Sequence, residues 1–115
     1  MPRFHILFSG TDILLDQGAG EPIVGFIAPR IGKAKKEEDA INLAKINLLK
    51  HWKHNFNRDN KSGTPQITLL EVTRIKNPFK RLRFETELFF YRNLDEREST
   101  IERCQKALTR WFRIR

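Results

Sequence analysis

The side chains in this chain with the clearest chemical potential are cations. Between positions 61 and 83, Lys61, Arg74, Lys76, Lys80, Arg81 and Arg83 stand against one carboxylate, Glu71. Five of them, together with Phe79, flank Asn77-Pro78, a pair that breaks extended structure and favours a turn. A basic β-ribbon of this kind can follow phosphates, and an exposed aromatic can stack on a base. Near the C-terminus, Arg103, Lys106, Arg110 and Arg113 recur every three or four residues, which gathers them on one face of a helix. The same charges also make ordinary solvated faces, and an aromatic beside a turn often folds back onto the core edge. Nucleic-acid binding through the basic turn at 74–83 and the basic face of the last helix is therefore one expectation, beside plain solvation.

Catalytic patterns are sparse. His51 and His54 are three apart on a helical segment, but no nearby third or fourth ligand completes a metal site, so both are expected to face solvent. Cys104 falls on an apolar helical stripe and reads as a small core residue. Glu85 and Glu87 share a strand face with Arg83, as paired acids or a solvated sheet face would. Gly18-Ala19-Gly20 precedes a strand instead of opening a helix, which makes it a poor phosphate cradle. No phosphate loop, nucleophile elbow or zinc-protease helix occurs. No catalytic residue, metal ligand or cofactor is assigned, and enzymatic activity has no positive support.

The elements that would carry these residues fit within one domain, 1–115. Hydrophobic residues make up 39% and charged residues 31%, apolar enough to fold and too mixed in sign for a disordered tail. The formal charge is +8. No apolar run is long enough to span a bilayer, no secretory signal is evident, and the lone cysteine fits a reducing compartment. A cytoplasmic protein with no membrane partner is expected.

Phe4, Ile6 and Phe8 alternate with His5 and Leu7 as in a strand, with a bend expected near Gly10. Gly18 and Gly20 supply a reversal, and Pro22 to about Ala34 is extended again, Pro29 favouring an edge strand or a bulge. A helix opens with Glu37, Glu38 and Asp39, where the helix dipole favours negative charge. Its apolar stripe is Ala40, Ile41, Ala44, Leu48, Trp52 and Phe56, and Lys50 and Lys53 suit its negative end. Leu43 and Ile46 lie roughly opposite that stripe, one turn apart, and are compatible with a second packing surface such as a dimer contact.

Two more strands are predicted, Ile67–Ile75 and Leu82–Tyr91, paired as a second hairpin. A final helix follows, capped by Asn93 or Ser99, with Ile101, Cys104, Leu108, Trp111 and Phe112 on one stripe. The expected architecture is α+β in two layers: a mainly antiparallel sheet in ββαββα order, with two helices packed on one face.

The stretch Phe4–Trp52, with Lys35-Lys36-Glu37-Glu38-Asp39-Ala40 entering the helix Ile41–Trp52, resembles the layout of HicB-type antitoxins. It departs from that family at Ala28-Pro29-Arg30-Ile31-Gly32 and in its second half. It is at least as similar to uncharacterised small bacterial proteins with the pattern Gly25-Phe26, Arg30, Lys33-Ala34 and Glu38-Asp39-Ala40. The resemblance implies a ββα N-terminal unit of bacterial type and transfers no binding residues. The function expected is that of a small non-enzymatic binding module, working through a protein partner or through self-association at Leu43 and Ile46. Nucleic-acid binding is the alternative.

Overall fold

Phe4, Ile6 and Phe8 turn one way from the first strand and His5, Leu7 and Ser9 the other, and all six are buried. In the computed structural model, which describes residues 2–16, 18, 20–75 and 87–113 (side chains through 106), the sheet is thus covered on both faces. The elements are β1 (Arg3–Thr11), β2 (Gly25–Lys33), α1 (Glu37–Phe56), β3 (Gln66–Ile75), β4 (Phe89–Tyr91) and α2 (Leu94–Arg113). All pairings among the described strands are antiparallel, in the order β3-β1-β2-β4. The class is α+β, as the sequence predicts.

The layering differs from expectation. Alternate residues of a strand point to opposite faces. Phe4, Ile6, Phe8, Phe26 and Ala28 form one core with Ala40, Ala44, Leu48 and Trp52 of α1. Leu7, Ile27 and Tyr91 form a second with Cys104 of α2, against which Ile101, Leu70 and Phe89 pack. The helices therefore lie on opposite faces, not on one. A stripe on a helix reports that it packs, not which side it packs on.

The second hairpin is also corrected. β4 pairs with β2 at one edge while β3 pairs with β1 at the other. Strand alternation encodes a face and leaves the partner open. Residues 76–86, which include most of the expected turn and the start of the expected fourth strand, lie outside the described residues.

The strand breaks close to Gly10, at Asp12 with φ 61°, and its pairing with β3 shifts register between Leu7 and Phe8. Gly10 stays in the strand, and the Phe26 ring of the paired position fills the place its side chain would take, 2.3 Å from an ideal Cβ. Gly25 is roofed in the same way by Tyr91. The reversal between β1 and β2 follows expectation: Gly18 and Gly20 have φ 80° and 73°, and the Asp16 carboxylate accepts from the Gly18 amide at 2.9 Å. Pro29 sits on an inner strand, but β4 pairs only with Gly25–Ile27, so no described strand runs beside Pro29 on that side. Locally it has the edge position that proline tolerates.

Helix α1 crosses β2 at Gly32, where a Cβ would sit 2.6 Å from the Ala40 carbonyl oxygen and 2.9 Å from Ile6 Cδ1. The oxygen belongs to backbone and cannot rotate away. Gly32→Ala is expected to lever the start of α1 off the sheet and cost about 1–3 kcal/mol. Urea unfolding reads this directly, and an unchanged midpoint would show that the helix can shift freely. The far end of α1 is pinned by polar contacts. Trp52 Nε1 and Asn57 Nδ2 both donate to the Gly63 carbonyl, at 3.0 and 2.9 Å, and Asn57 Oδ1 accepts from the Ser62 amide at 2.8 Å. The loop after α1 is thereby fixed against the β1–β2 connection, where the Leu14 amide donates to the Ser62 carbonyl at 3.0 Å.

Helix α2 begins at the first of the two caps expected. Asn93 Oδ1 accepts from the Glu96 amide at 2.9 Å, and Glu96 Oε2 accepts from the Arg92 amide at 2.8 Å. The first bond occupies a donor that a helix start leaves unpaired, and the second ties the residue before the cap back to the first turn.

Candidate binding surface

With Ala40, Ala44, Leu48 and Trp52 turned into the core, 100° per residue sends Asp39, Leu43, Ile46, Lys50 and Lys53 to the outer side of α1. Leu43 is 51% and Ile46 50% exposed, adjacent on that line. Two open hollows run along it. The first is lined by Lys33, Lys35, Asp39, Asn42, Leu43 and Ile46, beside Ala34. The second is lined by Lys50, Lys53, His54 and Arg58.

Charge is placed there by helix physics. The acidic first turn compensates for Lys36, which occupies the N-cap without a side-chain cap bond. At the other end Arg58 folds back, its Nε donating to the His54 carbonyl at 2.8 Å, with its guanidinium 3.2 Å from His54 Nε2. Cations are favoured at this negative end of the dipole. The grouping of Lys50, Lys53, His54 and Arg58 goes beyond the sequence reading, which used Lys50 and Lys53 only as dipole partners. Their three-and-four spacing was the available signal.

The residues predicted to bind nucleic acid are not assembled into one patch among the described residues. Arg74, exposed on β3, is paired with Phe4 and so lies on the α1 side of the sheet. Arg103 and Lys106 are exposed on α2, on the other side, where Lys106 Nζ is 3.2 Å from Glu102. Lys76, Phe79, Lys80, Arg81 and Arg83 lie outside the described residues, as do the side chains of Arg110 and Arg113.

His51 does not face solvent as expected. Buried Arg30 donates to the Pro29 carbonyl at 2.7 Å, to the Glu87 carbonyl at 2.8 Å, and lies 3.0 Å from His51 Nδ1. This guanidinium joins β2, α1 and the approach to β4. Burial, and then the Arg30 charge, hold the His51 pKa below its ordinary value, which keeps the ring a neutral acceptor.

On the α2 face of the sheet, His5 Nε2, Ser9 Oγ and Glu71 Oε2 are buried without a hydrogen-bond partner among the described residues. His5 and Ser9 are four residues apart on one strand, roughly 13 Å, too far for a nucleophile and its base. Burial pushes the His5 pKa down from 6.5 to about 4. It also pushes the Cys104 thiol up, against a smaller opposing effect of Arg103, which disfavours the reactive thiolate. Among the described residues no group of three or more His, Cys, Asp or Glu is placed to hold a metal, and no helix is long and apolar enough to cross a membrane.

No family model, curated protein or solved structure matches the chain.

Proposed function

We propose that this chain is a non-enzymatic binding module that engages another protein through the outer face of α1. The observation that carries the reading is the half exposure of Leu43 and Ile46, side by side in the first hollow, with the second following along the same face. Scattered apolar surface residues need no explanation, but a contiguous apolar site rimmed by polar groups is how protein contacts are built.

Nucleic-acid binding has weaker support, because the described cations it draws on lie on opposite sides of the sheet. The α1 reading predicts that a photoreactive phenylalanine analogue at position 46, introduced in the protein's own cells, gives a discrete cross-linked adduct. The same group at exposed Asp95 of α2 is expected to give none. Equal, diffuse labelling from both positions would remove the proposal.

A further inference from the structure

Resting on that reading, we infer that the occupant of the α1 face is an acidic amphipathic segment of a partner protein, apolar at its centre and carrying carboxylates at both ends. Leu43 and Ile46 form the middle of the face. Lys33 and Lys35 stand at one end, and Lys50, Lys53 and Arg58 at the other. Asp39 is the single carboxylate lining either hollow. From Asp39 to Lys53 the face runs about 21 Å, the length of a four-turn helix laid along it. An amphipathic helix docks in such a groove by placing apolar anchors at the centre, and opposite charges at the rim set orientation and speed of encounter.

The alternation of charge, apolar centre and charge also argues against a second copy of this chain as the occupant. Laid antiparallel, it would bring Lys50, Lys53 and Arg58 of one copy over Lys33 and Lys35 of the other. Laid parallel, each cationic end would meet itself. Antiparallel, only the acidic first turn, chiefly Asp39, would offset this repulsion, and parallel nothing would, between chains that each carry +8.

The test uses the full chain and a fluorescein-labelled synthetic peptide of about 18 residues, with Leu and Ile at helical spacing in the middle and Glu at both ends. Fluorescence anisotropy is expected to show saturable binding that weakens at least about tenfold between roughly 50 and 500 mM salt. Leu43→Ser with Ile46→Ser, and separately Lys50→Glu with Lys53→Glu, should each weaken it by about tenfold or more. All four positions are exposed, and circular dichroism confirms that each variant is folded. A peptide of the same composition in scrambled order, and one with Lys in place of Glu, should not bind.

Equal binding of the scrambled peptide would overturn the inference. So would tighter binding to phosphatidylglycerol-containing vesicles or to a DNA duplex that the same variants abolish, which would make the occupant a membrane or nucleic acid. A position-46 adduct of twice the 13.6 kDa chain mass would identify a second copy and overturn it too. In each of these cases a discrete position-46 adduct still supports the α1 face as the contact surface. Failure of that cross-link would remove the face itself.

Discussion

Trp52→Ala is expected to cost about 3–5 kcal/mol, the range for emptying a large aromatic site in a core. Trp52 is 2% exposed, stacked on Phe26 with centroids 5.7 Å apart and on Phe56 at 5.8 Å. Phe26 and Phe56 each meet Phe90 edge-on, at 6.4 and 5.2 Å. Removing the indole therefore strips a face from two rings that between them link β2, α1 and β4. It also takes one of the two donors from the Gly63 carbonyl, leaving that of Asn57. Stabilities of whole domains are about 5–15 kcal/mol, so the variant should sit near the edge of folding. Trp52→Phe separates the terms. It keeps an aromatic surface and loses the indole N–H, for an expected cost of about 1–2 kcal/mol. Urea titration of both variants checks this, and a loss below about 1 kcal/mol for Trp52→Ala would mean that the aromatic group is not the anchor of the α1 core.

The second large effect is acid sensitivity from His5. Its pKa is lowered from 6.5 to about 4 in the folded chain, so between those values the unfolded chain binds a proton that the folded one excludes. Stability from this group is complete above pH 6.5, falls as the pH drops, and has lost about 3 kcal/mol below pH 4. His51 shifts in the same direction, through burial first and the Arg30 guanidinium second, and adds to the slope. His5→Leu removes a buried nitrogen that has no partner among the described residues, and at pH 7 it should be neutral or stabilising by about 1 kcal/mol. The difference between wild type and His5→Leu should widen by about 3 kcal/mol from pH 7 to pH 4. Parallel stability curves would show that the imidazole reaches water when charged.

Much of this architecture could be read from residue patterns. The α1 stripe, its acidic start, the glycine reversal after β1 and the Asn93 cap are local features, set by a few neighbouring side chains. What escaped was long-range. Ile101 and Cys104 announce a packed face on α2, but their spacing is the same whichever side of the sheet receives it. A hint lay in Gly25-Phe26-Ile27-Ala28-Pro29, five residues without a polar side chain, a run suited to a strand covered on both faces. The pairing of β4 with β2 had no comparable signal, because a strand's alternation is satisfied by any neighbour.

At the candidate surface, Leu43 and Ile46 were legible because they break the α1 pattern. The cationic group at the end of α1 was harder to see, since Arg58 joins it only by folding back past the last turn. His51 was misread because its partner, Arg30, is 21 positions away and reaches it only after β2 and α1 have packed.

The two glycines roofed by aromatic rings have a consequence for tracing ancestry. Positions 10 and 26, and likewise 25 and 91, divide one fixed volume between them. A descendant that acquires bulk at either glycine must shrink the ring opposite in compensation. Linked exchanges at these two couples would mark distant kin after ordinary identity has faded, and a lineage that varied each member independently would have a different sheet.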